Sequence, residues 1–221
     1  MGAWIWDTTI RELNALNYTA YSLTLSGLGS KQDVADITLE THITDVINFI
    51  DEYELENVIL VGHSYSGLVA GQVADRIADK IKHVIYLNAF LPETGKSLID
   101  SFGEAQAKLE RQSIEENSGL WLPPTSEGLA NEPDISLEQQ QWLSNRLVPH
   151  PGRTVTDPAK LHNTLADQQA TYIACRMPDE SSEDIEAKCN TFGWNFQYIE
   201  AGHWAMLSSL DELIDVMTSV N

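Results

Sequence analysis

The segment Val58-Ile59-Leu60-Val61-Gly62-His63-Ser64-Tyr65-Ser66-Gly67 constrains this chain more than any other. Its first four residues form a continuous apolar run of the kind found in a parallel strand buried on both faces, and Gly62 ends the run. From Tyr65 to Lys80 small and apolar residues recur at helical spacing, and His83-Val84-Ile85-Tyr86-Leu87 returns to a buried strand. Strand, tight turn, helix and strand make a βαβ unit, which requires a sheet with helices packed against it. A serine on that turn, here Ser64, is held away from the sheet, and a small neighbour such as Gly62 lets the helix approach. The turn also aims the Tyr65 N–H, at the positive end of the helix, toward whatever bonds to the Ser64 hydroxyl. The spacing departs from Gly-x-Ser-x-Gly at its last position, where Ser66 stands and Gly67 follows. Serine is small enough for that turn.

The rest of the chain repeats the alternation. A helix is expected from Asp7 or Thr8 to about Leu16, a strand over Thr19 to Leu25, a turn at Ser26-Gly27-Leu28-Gly29-Ser30, and an amphipathic helix from Thr38 to Glu52. Further on, Thr171-Tyr172-Ile173-Ala174-Cys175 reads as a strand, Glu183 to Phe192 as a helix, Asn195 to Glu200 as a strand and Met206 to Val220 as a closing helix. The stretch between holds Pro92, Pro123, Pro124, Pro133, Pro149, Pro151 and Pro158 with polar helical pieces among them. The expected organisation is an α/β core of residues 1–90 and 163–221 with a cap inserted at 91–162.

Thirty-three Asp and Glu against thirteen Lys and Arg give a formal charge of −20, which argues against a nucleic-acid or anionic-membrane partner. Two cysteines, Cys175 and Cys189, make no disulfide framework, and no Cys/His cluster offers four metal ligands. With no basic segment leading into an apolar run at the start, the expectation is a soluble, cytoplasmic protein.

A serine hydroxyl is a weak nucleophile until a histidine takes its proton, and the histidine needs a carboxylate to fix its tautomer. In the chain order Ser, acid, His, only His203 among the six histidines lies after the last strand, in Glu200-Ala201-Gly202-His203-Trp204. His63 belongs to the turn itself, and His42, His83, His150 and His162 read as surface or core residues. The acid is sought in the loop after the Cys175 strand. Asp179 is nearest the strand end, Glu180 is second, and Glu183 and Asp184 read as charges opening the next helix.

These residues resemble the α/β-hydrolase superfamily, in particular the small branch of plant methylesterases, hydroxynitrile lyases and related bacterial carboxylesterases. Besides Gly62-His63-Ser64-Tyr65 and Ala201-Gly202-His203, the segments Gly2-Ala3-Trp4-Ile5-Trp6, Leu25-Ser26-Gly27-Leu28-Gly29 and Tyr86-Leu87-Asn88-Ala89-Phe90-Leu91-Pro92 look like that branch's signatures. The resemblance implies a mainly parallel sheet with a helical cap, a triad of Ser64, His203 and Asp179, and no cofactor or metal. It also implies a difference. Members of the branch open with an apolar strand ending in His-Gly, followed by a backbone N–H that supplies half of the oxyanion hole. Here Met1 stands at the place of that histidine, so the N-terminal strand is expected to be absent from the sheet.

The expected function is therefore a serine carboxylesterase that hydrolyses small, mostly apolar esters through an acyl-enzyme, with the Tyr65 N–H holding the oxyanion and Trp121, Trp142 and Trp204 lining the substrate pocket. The expected partner is the small-molecule ester; a homodimer is the one oligomer considered. Two alternatives stand beside it. A hydroxynitrile lyase of this branch carries a lysine directly after its catalytic histidine, where this chain has the apolar Trp204. A catalytically impaired small-molecule binding protein would keep the pocket and lack part of the oxyanion hole.

Overall fold

In the computed structural model, which describes residues 1–29, 34, 36–132, 134–176 and 181–220, four parallel strands run in the order β1 (Val58–His63), β2 (Ile81–Leu87), β5 (Ala170–Arg176) and β6 (Asn195–Glu200). Side chains alternate between the faces of a strand, and both faces here are covered. Ile85 and Leu87 of β2 join Ile173 and Cys175 of β5 in one core cluster, while Val84 and Tyr86 join Tyr172 and Ala174 in another. Because the strands are parallel, their C-terminal ends share one edge of the sheet. The turn after β1, the loop after β2 and the loop after β6 therefore meet there, as functional loops do in open α/β sheets.

Helices α1 (Asp7–Ala15), α2 (Leu39–Glu52) and α3 (Ser66–Arg76) come from the first half of the chain. Thr38 opens α2 with a capping box: its hydroxyl accepts from the Thr41 N–H, and the Thr41 side chain accepts from the Thr38 N–H. Leu39, Ile43 and Ile50 then pack with Leu68, Val69 and Val73 of α3. The segment 91–162 carries α4 (Glu104–Glu116), β3 (Leu120–Trp121), α5 (Ser126–Ala130), α6 (Leu137–Ser144), β4 (His150–Pro151) and α7 (Arg153–Thr156), with β3 and β4 paired antiparallel. Its Ile114 and Val155 pack in the cluster that holds Tyr65, and its Leu129, Ile135 and Leu143 pack in the cluster that holds Trp204. The chain closes with α8 (Glu183–Phe192), α9 (Ala205–Ser208) and α10 (Leu210–Ser219).

Three expectations are corrected. Thr19 to Leu25 forms no strand. Among the described residues β1 is an edge strand, bonded to β2 alone, and a cavity of about 530 Å³ separates it from the 18–25 segment. Tyr18 to Leu23 and Leu25 line one side of that cavity and Val58 to Val61 the other, so the extended segment has no ladder within reach. For the same reason Val58–Val61 is half-buried rather than enclosed on both faces, and the strand continues through Gly62 to His63. The closing helix is broken at Ser209, whose φ of −138° and ψ of 48° are not helical.

Candidate active site

Ser64 sits between β1 and α3 with φ of 54°, in the left-handed region that costs a side-chain-bearing residue of order 1 kcal/mol or more. Neighbouring backbone bonds hold it there. The Ser64 N–H donates to Leu87 O at 3.2 Å, and its carbonyl accepts from the N–H groups of Gly67 and Phe90, each at 3.1 Å. Glycines make that packing available. A Cβ on Gly62 would lie 2.8 Å from Ser66 O and 2.9 Å from Ala70 Cβ, and a Cβ on Gly67 would strike Phe90 O and lie 2.7 Å from Ala89 Cβ. The close approach is thus made at Gly67, not at position 66, which explains why Ser66 is tolerated. Tyr65 precedes the first residue of α3, where N–H groups have no partner within the helix and the dipole favours negative charge.

His203 follows β6 and is brought onto this turn. His63 Nε2–H donates to His203 O at 2.9 Å, and the two rings lie 4.7 Å apart. Burial holds the His203 imidazole below its ordinary pKa and therefore neutral. Its Nδ1 lies 3.2 Å from the Asn88 amide nitrogen, at the end of β2. No hydrogen bond joins Ser64 Oγ to His203 among the described residues, a contact that in ligand-free enzymes is often long. Two carboxylates from the 91–162 segment reach the His203 backbone: Asp134 Oδ2 accepts from Gly202 N–H at 2.5 Å, and Glu132 Oε2 lies 3.4 Å from His203 N. Asp179 and Glu180 lie outside the described residues. Glu183 and Asp184 occupy the first turn of α8.

The match of an alpha/beta hydrolase family profile to residues 1–216 decides what kind of chain carries this turn. The chain belongs to the alpha/beta hydrolase family. This hydrolase is 32% identical to a carbendazim hydrolyzing esterase of Nocardioides sp. (strain SG-4G) over 233 residues, covering 99% of this chain and 95% of that one. It is 36% identical to an alpha-hydroxynitrile lyase of Arabidopsis thaliana over 246 residues, covering 99% and 92% of the two chains. Among solved structures, an extracellular alpha/beta-hydrolase from a Paenibacillus species superposes with a TM-score of 0.86 at 22% identity, covering 100% of this chain and 94% of that one. The relatives support a hydrolase, and esterases are prominent among them.

Tyr65 is anchored away from the sheet edge. Its hydroxyl donates to His42 Nδ1 at 2.8 Å, and His42 Nε2–H donates to Ser26 O at 2.8 Å. Ser26 in turn gives its N–H and hydroxyl to Asp45 at 2.8 and 3.0 Å. The Leu25–Gly29 loop is thereby tied to the residue after Ser64. The Ala3 N–H, just after Met1-Gly2, donates to Thr24 Oγ1 at 2.7 Å.

The three tryptophans expected to line the pocket are placed differently. Trp121 donates from Nε1 to Glu110 at 2.9 Å and stands edge-on to His150, whose ring stands edge-on to Tyr65 at 5.0 Å. Trp142 lies between Trp4, at 4.8 Å, and the Arg146 guanidinium, at 4.6 Å. Trp204 is buried beside His203 at 5.3 Å, with its Nε1–H unpaired. The cavity along β1 is lined by His63 and Ser66 but not by Ser64 or His203, so it lies beneath the turn and not at its reactive face. No described helix is long and apolar enough to cross a membrane.

Sequence reasoning missed Asn88 and the Glu132/Asp134 pair beside His203. Asn88 had a signal, its place just past the C-terminal end of the strand next to β1. Glu132 and Asp134 had none, because nothing local tells which of many surface carboxylates folds back onto a distant loop.

The buried histidines make stability depend on pH. His63, with Nδ1 unpaired, has its pKa lowered by burial from 6.5 to about 3. Above pH 6.5 both folded and unfolded states leave it neutral and its contribution is fully present. As pH falls below 6.5 the unfolded chain takes up a proton that the folded chain refuses until about 3, so stability is lost through that window, by on the order of a few kcal/mol in all. His42, His150 and His203 are lowered with the same sign. The expected result is a urea midpoint that falls between pH 7.5 and 5.5, with a shallower fall in His63→Asn. Equal slopes in the two proteins would refute the assignment.

Proposed function

We propose that the chain is a serine carboxylesterase acting on small, mostly apolar esters through an acyl-enzyme. The observation that carries the reading is Ser64 in a left-handed turn between β1 and α3, with the His203 loop bonded onto that turn through His63. Ser64 Oγ attacks the ester carbonyl while His203 Nε2 takes its proton, and the Tyr65 N–H donates to the oxyanion. His203 then returns the proton to the departing alkoxide, and water repeats the steps to release the acid. Asp179 orients His203 and stabilises its imidazolium, and Trp121 stands edge-on to His150, whose ring in turn meets Tyr65. The test is turnover of a short-chain chromogenic ester by the folded parent and by Ser64→Ala side by side; unchanged hydrolysis in the variant sinks the reading.

The assignment of the acid has its own check. Asp179→Asn is expected to lower kcat far more than Glu180→Gln, by about tenfold or more, because only the orienting carboxylate offsets the charge that forms on His203. The reverse order would move the role to Glu180.

The hydroxynitrile lyase relative, at 36% identity, keeps a second reading in view. Against it stands Trp204, 4% exposed and packed in the core cluster with Ala205 and Met206, where a lysine ammonium would have to be desolvated. Release of cyanide from a cyanohydrin, without ester hydrolysis, would favour the lyase.

A further inference from the structure

The cavity of about 530 Å³ beside β1 has mostly apolar walls, with Val58–Val61 of β1, Ile10 and Leu13 of α1, and Val46 and Ile50 of α2 among them. Two buried polar atoms interrupt that lining. Thr9 of α1 is 1% exposed and His63 of β1 is 3% exposed, both line the cavity, and neither Thr9 Oγ1 nor His63 Nδ1 has a hydrogen-bond partner among the described residues. Thr9 stands one turn along α1 from Trp6, whose ring lies 6.2 Å from the His63 ring, so the two atoms belong to one end of the cavity. Buried polar atoms are costly to leave unbonded, and an occupant that bonds them is favoured.

The chemistry of these atoms selects the occupant. A carbonyl can only accept, so the bond from His63 to His203 O places the ring proton on Nε2, and burial keeps the ring from taking a second one near neutral pH. Nδ1 is therefore a bare acceptor that calls for an O–H or N–H, whereas the Thr9 hydroxyl can give or take. Neither group is charged, and the Met1 amine on the same lining, lowered by burial to about 6, is mostly neutral at about pH 7.5. Glu56 is the one carboxylate among the described lining residues, and with a formal charge of −20 on the chain it disfavours an anion. The way in is marked by exposed rings. Tyr18 and Tyr21 line the cavity while facing solvent, and Tyr21 meets Phe49 at 5.8 Å and the exposed Tyr53 at 5.7 Å. Apolar surface gathered in this way is the mark of a binding site.

We propose that this cavity binds a small, uncharged aliphatic alcohol, with its O–H donating to His63 Nδ1, its oxygen in the polar end shared with Thr9 and its chain along Val58–Val61. A volume of about 530 Å³ lies in the range of small-molecule sites. The site is separate from the hydrolytic reading, since neither Ser64 nor His203 lines it.

The test titrates the folded parent with n-octanol, methyl heptyl ether and octanoate, which are similar in length, and follows the urea midpoint and the nitrogen NMR signal of His63 Nδ1. Octanol is expected to raise the midpoint, to shift the Nδ1 signal, and to bind about three- to tenfold more tightly than the ether, which has the oxygen but no proton to give. Octanoate should bind more weakly than octanol. Thr9→Val, of nearly the same shape, should weaken octanol by about threefold, and His63→Leu should make alcohol and ether bind alike. Equal affinity of the parent for alcohol and ether, tighter binding of octanoate, or no change of midpoint with any of the three would overturn the proposal. So would a parent that sediments as a dimer and takes up no octanol, which would give the open side of β1 to a second copy of the chain. The ligand series is read on the parent, so it decides even where His63→Leu fails to fold. Ester turnover is measured separately, and loss of the esterase reading leaves this result unchanged.

Discussion

Ser64→Ala is expected to reduce ester turnover by about 10³-fold or more while leaving the urea midpoint within about 1 kcal/mol of the parent. The two halves of that result come from different parts of the same residue. The Ser64 backbone carries the turn, through its N–H on Leu87 and its carbonyl shared by Gly67 and Phe90, and alanine keeps all three bonds. The side chain contributes only Oγ, which no described residue holds by a hydrogen bond. Alanine at φ of 54° bears much the same strain as serine, so the fold is spared while the nucleophile is gone. Residual activity would come from water attacking an ester polarised by the Tyr65 N–H. A variant that fails to fold would show instead that Oγ itself holds the turn, and circular dichroism of both proteins at neutral pH separates the cases.

Gly67→Ala should lower stability by about 2 kcal/mol and activity with it. Two effects oppose each other here. Alanine is better than glycine by up to about 1 kcal/mol in a helix, a gain reached in full only in the interior and not in the first turn where Gly67 stands, whereas filling occupied space costs about 1–3 kcal/mol. The second wins because the atom in the way is Phe90 O, part of the backbone, which cannot swing aside as a side chain could. Relief would require α3 to retreat from the Ala89–Phe90 segment and so lengthen the Phe90 N–H bond to Ser64 O, one of the bonds that seat Ser64. Gly128→Ala in α5 is the matched control, since its new Cβ would lie 3.6 Å from the nearest atom and meet ordinary contact. Urea midpoints of the two variants test the argument: a Gly67→Ala protein as stable as Gly128→Ala would show that the helix yields more easily than its packing implies.

Much of this could be read from the residues. The βαβ unit around Ser64, the helix Glu183–Phe192 and the strand Asn195–Glu200 appear where periodicity places them, because each has a local pattern that its tertiary surroundings reinforce. Thr19 to Leu25 has the composition of a strand, yet strand formation depends on a neighbour, and its side of β1 offers a cavity instead. The break at Ser209 was hidden because apolar spacing runs across it. At the site, Ser64 and His203 announce themselves by their place at strand ends. Asn88 shares that kind of place but lacks the charge that draws attention to an acid, and its contact with His203 spans 115 positions of sequence.

The open side of β1 ties the solubility of this molecule to its ionisation state. A half-buried edge strand such as β1, which among the described residues pairs with β2 alone, is a template for another molecule's chain, and edge strands are kept apart by charge, bulges or cover. Here the restraint is collective. With a formal charge of −20 two molecules repel before their edges meet, whereas near the isoelectric point of about 4.4 that repulsion vanishes, at a pH where His63 and its neighbours have already weakened the fold. Acid is therefore expected to act on this chain twice, loosening each molecule and removing what keeps it apart from the next.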